Sequence, residues 1–383
     1  MTPWSTARLW LTDTALPLWS QVGFDQDRSV FHERLSLQGA PIRDMPRRLM
    51  VQARQIYSYA TAERNNWMIG AGDLVARASR SMVRDYYEAD GRPGWVMSVD
   101  NSGLVVDPTR DLYAHSFVLL GLAAAFESTG DDFYLVLADD TLRFMDSSMA
   151  SSCGGYVSSL PNSSQSELRQ NPHMHLLEAL LALYVVAPKN DYRLRSKKVV
   201  SLLETRLFQP STGILTEYFR SNWLPVEGDR GRLFEPGHHY EWIWLLSRYS
   251  QIFDCALSPC IEALRSTATI YGRSQKGGLW SAVRDDGVVI DPFIRLWPHT
   301  EAIKAGLSGK ATDGYASVDR WLTILYQTFL RSAYPGGWND LLTIDDQLLV
   351  DYIPSSSFYH LVCAFSECED HYGSRLSSDS DPT

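Results

Sequence analysis

Two kinds of helical pattern alternate along the chain. Stretches such as "LLEALLALYVV", which follows His175, are apolar almost all round, as in helices that are buried on most faces. Stretches such as "YRLRSKKVVSLLETRLF", which begins at Tyr192, carry one apolar face and one charged face. The alternation predicts an inner layer of buried helices surrounded by an outer layer of amphipathic helices.

A glycine that precedes a large apolar residue and a short extended stretch recurs between these helices. "GWVMSVD", "GYVSSL" and "GLWSAV" are examples, and the pattern is typical of a tight turn that enters a short strand. The recurring glycines lie 58 to 65 residues apart and are Gly94, Gly155, Gly213, Gly278 and Gly337. The chain is therefore predicted to repeat one structural unit of about sixty residues.

Polar residues near the predicted starts of the buried helices follow the same period. They lie 60 to 63 residues apart, and five of the nine histidines of the chain belong to the series. The series is Arg54, His115, His175, His238, His299 and His360. Helical hairpins that close into a ring bring the starts of all inner helices to one end of the axis, so we expect these side chains around one pocket.

These patterns predict an all-α fold, an (α/α)6 toroid or barrel of six helical hairpins with short strand-like loops. An open solenoid of helical hairpins is the alternative, but it gives no reason for a histidine at the same place in successive repeats. We expect residues 1–372 to form a single catalytic domain, and the polar tail 373–383 to be disordered.

Charge and composition exclude several classes of protein. The chain has 35 basic and 45 acidic residues, a net charge of −10, which argues against a nucleic-acid partner. No apolar run approaches the roughly 20 residues of a membrane helix, and the N-terminal segment lacks the pattern of a signal peptide. Five cysteines without disulfide or zinc spacing are typical of reduced thiols. We therefore expect a cytoplasmic protein that does not bind membranes.

A ring of histidines could serve either metal binding or proton transfer. The pairs in "HMH" and "HH" do not have the spacing of two ligands on one helix face, so we expect no metal and no cofactor. Glu178 and Glu241, in contrast, follow His175 and His238 by three residues, on the same helix face. Such a carboxylate can orient the ring or bind a substrate hydroxyl. Because an imidazole titrates at about 6.5, the arrangement favours acid–base chemistry.

Four segments resemble the signature segments of the N-acylglucosamine 2-epimerase superfamily: "RQNPHMHLLEA", "EPGHHYEW", "RLWPHTEA" and "PSSSFYHL". That superfamily includes N-acylglucosamine 2-epimerases, cellobiose 2-epimerases, and mannose and sulfoquinovose isomerases. The resemblance runs from about Arg48 to Phe365. It implies an (α/α)6 barrel and a metal-free proton transfer on the opened form of a reducing sugar.

The resemblance also implies roles for individual residues. His238 and His360 match the acid/base histidines of the family. Residues that match sugar-binding or ring-opening positions are Arg54, Tyr113, Asn171, His175, Glu241 and Glu301. An arginine before "PGH" contacts substrate in relatives, and both Arg230 and Arg232 are candidates. His299 in "PHTEA" is a further substrate-binding candidate, since this segment is more similar to the mannose isomerase branch.

The expected reaction is the isomerisation of mannose to fructose. A histidine removes the proton from C2 of the open-chain sugar, and Arg54 stabilises the charge that develops on the enediol oxygens. Return of the proton to C2 from the opposite face would give the N-acylglucosamine 2-epimerase reaction, which is the alternative. A glycoside hydrolase that uses Glu241 and Glu301, or a non-catalytic sugar binder, leaves the histidines unexplained. The expected partner is a monosaccharide, and the expected state is a monomer or homodimer.

Overall fold

The computed structural model describes residues 2–163, 166–256, 258–308 and 314–378. Thirteen α-helices occur in these ranges: α1 (Pro3–Trp10), α2 (Leu16–Gln21), α3 (Leu49–Arg64), α4 (Ala71–Tyr86), α5 (Leu112–Thr129), α6 (Phe133–Phe144), α7 (Gln170–Val186), α8 (Asn190–Leu202), α9 (Pro236–Phe253), α10 (Cys260–Tyr271), α11 (Leu296–Leu307), α12 (Gly314–Ile324) and α13 (Phe358–Ser378). Helix α13 continues a 3-10 turn at Ser355–Ser357.

The odd-numbered helices from α3 to α13 form a closed inner ring. Each packs against the next in the order α3, α5, α7, α9, α11, α13, and α13 packs back against α3. An open solenoid would leave the first and last helices apart. The predicted (α/α)6 barrel is therefore confirmed, and the solenoid alternative is excluded.

The outer layer alternates with the inner ring along the chain. It consists of α4, α6, α8, α10, α12 and the N-terminal helix, in which a π-helical stretch, Leu11–Ala15, joins α1 to α2. The N-terminal helix packs beside α12 and α13, where Trp4 contacts the rings of Phe365 and Tyr372 and Arg8 Nε donates to Glu369 at 2.7 Å. The first outer helix thus completes the last hairpin of the ring.

Burial explains which helices lie inside. Residues 114–125 of α5 are buried on every side of the helix, whereas in α4 the buried residues recur every three or four positions along one face. Helices α3 and α5 approach closely at Gly121, where a Cβ would lie 3.2 Å from Ala53. The all-round apolar pattern of the sequence therefore marks the inner ring, as predicted.

Short antiparallel strands surround the end of the barrel at which the inner helices begin. They are β1 (Phe24–Asp25), β2 (Val30–Phe31), β3 (Arg34–Ser36), β4 (Arg47–Arg48), β5 (Ser98–Val99), β6 (Val105–Asp107), β7 (Arg110–Asp111), β8 (Ser159–Leu160), β9 (Leu168–Arg169), β10 (Phe208–Gln209), β11 (Ile214–Leu215), β12 (Tyr218–Phe219), β13 (Leu233–Phe234), β14 (Trp280–Arg284), β15 (Val289–Arg295), β16 (Leu341–Leu342) and β17 (Tyr352–Pro354).

Each inner helix is entered from one of these strands, and that strand pairs with a strand of the following repeat. The pairs are β4 with β5, β7 with β8, β9 with β12, β13 with β14, β15 with β16, and β17 with β3. The last pair joins residues 352–354 to residues 34–36, so the strand pairs link the last repeat to the first. The pairing fixes the height at which every inner helix starts, so side chains at equal distances from the starts form layers.

Helix α13 extends into the segment that was predicted to be a disordered tail. Its backbone is helical to Ser378, and Tyr372 anchors the helix through the ring of Trp4 and through Asp319, to which its hydroxyl donates at 3.1 Å. The remainder of the predicted tail, residues 379–383, lies outside the described residues. Among the helices described, none is long and apolar enough to cross a membrane.

Candidate active site

The polar residues near the helix starts form layers across the barrel axis. The sixth residue of each inner helix, counted for α13 from Ser355, gives one layer: Arg54, Phe117, His175, Glu241, Glu301 and His360. All but Phe117 are polar or charged, and all six are buried. Together with His238 from the third position of α9, this layer forms the candidate site.

His238 is held by a carboxylate from outside its own helix. Its Nδ1 lies 3.0 Å from both carboxyl oxygens of Glu217, which follows the glycine turn at Gly213. Gln170 Nε2 donates to the same carboxylate at 2.8 Å, and Trp242 Nε1 donates to the amide oxygen of Gln170 at 2.8 Å. The predicted partner Glu241 forms no such bond, so it does not orient the ring of His238, and the alternative that it binds a substrate hydroxyl stays a prediction.

The surroundings of His238 stabilise its charged form. Burial disfavours a proton on the ring, but Glu217 and Glu235 outweigh burial and raise the pKa of His238 to about 10. Glu235 Oε2 lies 3.9 Å from the ring Nδ1. His238 is therefore an imidazolium at neutral pH, with Nδ1 bound to Glu217 and Nε2 left to face a ligand.

His360 also binds a carboxylate through Nδ1, but its surroundings are different. Nδ1 lies 2.9 Å from Glu301 Oε1, and the other carboxyl oxygen of Glu301 lies 2.6 Å from Lys304 Nζ. Burial lowers the pKa of His360 well below its usual value, and the positive charges of Arg54 and Lys304 lower it further. His360 is therefore neutral, and Nε2 keeps a lone pair that can accept a proton.

Trp297 connects the two rings. Its centroid lies 5.0 Å from the ring of His238 and 5.6 Å from the ring of His360, with interplanar angles of 37° and 38°. As the second residue of α11, it is half-buried between the starts of α9 and α13. A flat apolar face beside two histidines suits the C–H surface of a sugar.

His175 and Glu241 belong to the same buried layer as His360. His175 Nδ1 donates to Glu178 Oε2 at 3.0 Å, as its spacing predicted, and Tyr359 donates to the other oxygen of Glu178. Neither oxygen of Glu241 has a hydrogen-bond partner among the described residues, although one lies 3.9 Å from His175 Nδ1. Burial and Glu301 raise the pKa of Glu241 well above its usual value, which favours the protonated form, a form that can donate to a ligand.

Arg54 supplies a fixed cation to the same layer. Its guanidinium donates to the hydroxyl of Tyr113 at 2.6 Å and to the carbonyl of Ser356 at 3.1 Å, and it lies 4.1 Å from the ring centroid of Phe117. Arg54 is 3% exposed. The predicted neighbours Arg54 and Tyr113 are therefore brought together beside His175, whose ring centroid is 5.2 Å from that of Tyr113.

A second layer of histidines has a different environment. The fourth residue of five inner helices accepts a hydrogen bond from a backbone N–H of the preceding loop, at 2.8 to 3.2 Å: Gln52, His115, His173, His239 and His299. The other ring nitrogen of each histidine binds a backbone carbonyl. Both nitrogens are thus occupied by the backbone, and burial lowers the pKa of each ring to about 4.

His299 and His115 therefore do not join the candidate site. His299 Nε2 accepts from Leu279 N at 3.1 Å, Nδ1 lies 2.8 Å from the carbonyl of Arg295, and the ring packs against Phe329 in the outer layer. The expectation that all members of the sixty-residue series face one pocket is corrected for these two. The physical reason is that the series mixes third, fourth and sixth helix positions, which face different directions.

The remaining predicted residues lie at the start of α7 and just before α9. Asn171 is the second residue of α7, and its buried Oδ1 has no hydrogen-bond partner among the described residues. Arg230 donates to Glu167 at 2.7 Å and lies over Tyr218, while Arg232 pairs with Asp285 and Asp286. Both arginines are about half exposed, and neither contacts the buried layer.

Sequence reasoning missed the groups that set the state of the two acid–base histidines. Glu217 was visible in the repeated turn segment "GILTEYF", where an acidic residue follows the glycine. Lys304 follows Glu301 by three residues, the spacing used for the other pairs. Gln170 and Trp297 carried no signal, because their contacts come from neighbouring repeats.

Three sets of carboxylate and imidazole atoms lie within 4.8 Å of one another in the described part of the chain, close enough to approach one ion. They are His175 with Glu178 and Glu241, Glu217 with Glu235 and His238, and Glu241 with Glu301 and His360. In the first set, the hydrogen bond between His175 and Glu178 already uses one atom of each residue. The second contains the imidazolium of His238, and Arg54 and Lys304 face the third. These contacts and charges oppose an added cation.

Comparison with known proteins shows the family to which the chain belongs. A family model for N-acylglucosamine 2-epimerase matches residues 30–364. A mannose-6-phosphate isomerase from Rhizobium meliloti (strain 1021) is 32% identical over 382 residues, which cover 94% of this chain and 95% of the relative. A D-mannose isomerase from Thermobifida fusca is 23% identical over 79% of this chain and 78% of the relative.

The solved structures agree on the fold. A cellobiose 2-epimerase from Bacillus thermoamylovorans B4167 superposes with a TM-score of 0.87 at 18% identity, covering 96% of this chain and 99% of that one. Fold, site and relatives together define an enzyme of the isomerase and epimerase class on an (α/α)6 barrel. The chain belongs to the N-acylglucosamine 2-epimerase family.

Proposed function

We propose that this protein interconverts an aldose of the mannose type and the corresponding ketose, without a metal or cofactor, by proton transfer between C2 and C1. Relatives named mannose-6-phosphate isomerase and D-mannose isomerase support the substrate class. The observation that carries the reaction is that Trp297 lies between an imidazolium, His238, and a neutral imidazole, His360. Paired groups whose pKa values are driven apart are the usual mark of an acid and a base.

The proposed reaction begins with the open-chain sugar lying along Trp297. Nε2 of His360 removes the proton from C2, and the electron pair of the C2–H bond forms the C1–C2 double bond. His238 gives its Nε2 proton to O1, so that an enediol forms without free charge on the oxygen. His238 then takes the hydroxyl proton from O2, whose electron pair forms the C2=O bond, and the electrons of the C1–C2 double bond take the proton of His360 at C1, which gives the ketose.

The other members of the layer have binding roles in this proposal. Arg54, held by Tyr113 and Ser356, is a fixed donor for the oxygen on which negative charge develops. Burial lowers the pKa of His175 to about 4, so its ring is neutral. His175 and the protonated form of Glu241 hold sugar hydroxyls, and one of them assists opening of the sugar ring. Asn171 offers a buried amide oxygen that a sugar hydroxyl can satisfy.

The test is proton NMR of the purified protein in D2O with EDTA. D-mannose, mannose 6-phosphate and N-acetylmannosamine are supplied separately. A ketose product that carries deuterium at C1 supports the proposal, and the sugar that is turned over fastest defines the substrate. Exchange at C2 in N-acetylmannosamine alone would replace isomerisation by the epimerase reaction. Activity that EDTA abolishes and a metal restores would overturn the metal-free mechanism.

Two arginines give a structural reason to test mannose 6-phosphate. Arg169 and Arg295 are the residues that precede α7 and α11, and no ion pair joins either to another described residue. A cation is unfavourable at a helix N-terminus, so a role in binding is a reason for its presence. Replacing both by glutamine should raise KM for the phosphorylated sugar and leave KM for mannose unchanged.

The proposed setting of the enzyme is the cytoplasm, as a monomer or homodimer with a monosaccharide as its ligand. All five cysteines are free, which agrees with a reducing compartment. Size-exclusion chromatography with light scattering tests the oligomeric state.

A further inference from the structure

Below the candidate site, one helical turn deeper, lies another layer of side chains. The ninth residues of the inner helices, with α13 again counted from Ser355, are Tyr57, Leu120, Glu178, Trp244, Lys304 and Cys363. Lys304 is fully buried in this layer. At the equivalent place in α5 the barrel accommodates Leu120, so packing alone does not demand a charged residue.

Lys304 has one counter-ion, Glu301, and one aromatic neighbour, Trp244. Its Nζ lies 2.6 Å from Glu301 Oε2 and 3.8 Å from the ring centroid of Trp244. Burial of a charged amine is costly unless a counter-ion and further favourable contacts compensate it, and here one carboxylate and one aromatic face do so. The other oxygen of Glu301 lies 2.9 Å from His360 Nδ1. Glu301 therefore joins Lys304 to the proposed base.

The same carboxylate would behave differently without the cation. Glu301 lies beside Glu241, and a second buried acid, Glu178, is in the layer below. With Lys304 removed, a proton would be drawn to the Glu301–His360 pair. A protonated ring could not act as a base, and a protonated Glu301 would offer the Nδ1–H only a neutral carbonyl oxygen, which is a weaker acceptor than a carboxylate.

We propose that Lys304 is a positioning residue, which keeps Glu301 a carboxylate so that Glu301 binds the Nδ1–H of His360 and leaves Nε2 free to accept the substrate proton. The inference rests on the proposed function, since it assigns His360 the role of base. Lys304 itself acts through Glu301.

Arg54, Lys304, His175 and Glu178 act on the charge of His360. The titratable and charged groups that line this part of the barrel lie on α13 and on four other inner helices. They are Arg54 and Tyr57 from α3, His175 and Glu178 from α7, His238 and Glu241 from α9, Glu301 and Lys304 from α11, and Tyr359 and Cys363 from α13. Lys304 is the one that pairs directly with the carboxylate of Glu301 and can be replaced without removing a hydrogen bond to His360.

The experiment compares the full-length protein with Lys304→Met and with Lys304→Gln, which retains polarity if methionine prevents folding. Isomerisation and C2–H exchange are followed against pH. The acidic limb of the pH–rate profile reports protonation of His360. Loss of the Lys304 cation should move this limb to higher pH by at least about one unit, so turnover at a given pH on the limb should be about tenfold lower. KM should change little. Lys276→Met is the matched control, because Lys276 pairs with Asp345 on the surface at 2.9 Å.

The double variant Lys304→Met/Glu301→Gln separates positioning from packing. If Lys304 acts through Glu301, removing both charges should return the acidic limb toward lower pH. A lower melting temperature with an unchanged acidic limb in both lysine variants would overturn the inference and leave Lys304 a structural residue.

Titration of the ring of His360 by NMR keeps this result distinct from a failure of the proposed function. It needs no substrate, and the His360 resonance should titrate at higher pH in Lys304→Met than in wild type. An unchanged titration would overturn the inference even if the enzyme is active. A shifted titration in a protein that turns over none of the sugars would support the link from Lys304 to His360 and overturn only the proposed reaction.

Discussion

His238 and His239 are neighbours on α9, and their surroundings are opposite. His238 binds the carboxylate of Glu217 and has a pKa raised to about 10, whereas His239 accepts from Leu215 N at 3.2 Å and has a pKa lowered to about 4 by burial. His175 and His173 on α7 repeat the contrast of partners, which are Glu178 and the N–H of Tyr156, although burial lowers the pKa of both rings to about 4. One step along a helix separates a candidate acid from a residue that fastens a loop.

The difference teaches that the partner of Nδ1, rather than the residue type or the repeat, decides the role. A carboxylate partner leaves Nε2 available to a ligand, as in His175, His238 and His360. Backbone partners occupy both nitrogens and use the ring as a rigid connector. In α3 the connector is Gln52, which both accepts from and donates to the backbone of Phe31, so that layer does not require imidazole chemistry.

The largest difference in turnover is expected between variants of the two layers. His360→Asn and His238→Asn change the candidate site, whereas His239→Asn changes the layer bound by the backbone. Loss of either acid–base ring should lower turnover by about 10² to 10⁴-fold, the usual contribution of one such group, with a melting temperature close to wild type. His239→Asn should keep most of the turnover and melt at a lower temperature. Isomerisation rates with circular dichroism melts test both; equal losses of turnover in all three would erase the distinction between the layers.

The charge of His238 is tested by Glu217→Gln. In the wild type, turnover should fall as pH rises through about 10, because His238 then loses its proton. Without the carboxylate, the pKa should fall toward the ordinary value of about 6.5, and at pH 8 only about one ring in thirty would be charged. The alkaline limb of the pH profile should therefore move to lower pH.

Glu167→Gln provides a matched control for that change. Glu167 is a partly exposed carboxylate that pairs with Arg230 and does not contact His238. Its replacement should leave the alkaline limb in place, and a similar shift in both variants would point to a general effect of charge rather than to the Glu217 contact.

A smaller effect, on stability, is expected for His299→Ala. It leaves the buried N–H of Leu279 without its acceptor, which costs about 1 to 3 kcal/mol, and KM should be close to wild type. His299→Gln should recover part of the stability, since Gln52 performs the same task in α3. Urea denaturation and steady-state kinetics measure the two quantities. A large rise in KM without loss of stability would restore His299 as a substrate-binding residue.

The smallest effect is expected for Arg232→Ala. Arg232 is exposed and paired with acidic residues at the tip of the β14–β15 hairpin, and exposed ion pairs contribute little. KM, turnover and melting temperature should all remain near wild type. A marked rise in KM would show that Arg232 leaves Asp285 to bind the sugar.

Most of the fold could be predicted from the sequence, because it depends on signals that repeat. The sixty-residue period of the glycine turns and the all-round apolar helices define six hairpins, and ring closure follows from the need to cover both faces of every inner helix. The exact face of each polar residue could not be predicted, since a helix start displaced by one or two residues turns a side chain by 100° or 200°.

The sequence predicted which residues belong to the candidate site better than it predicted which of them bind each other. Arg54, Tyr113 and His175 are neighbours as expected, and Glu178 binds His175 through the predicted i, i+3 contact. Local spacing could not reveal that Glu217 and Glu301 orient His238 and His360, because these carboxylates reach the rings from 21 and 59 residues away. Contacts of that kind depend on which repeats become neighbours in the ring.

The N-terminal helix has a consequence for how the chain is made. Trp4 packs on Phe365 and Tyr372, and Arg8 bonds to Glu369. During synthesis on a ribosome these partners emerge on the order of a minute after the helix that needs them. Until then the apolar side of this helix has no native surface to cover it, so it is open to non-native contacts during that interval.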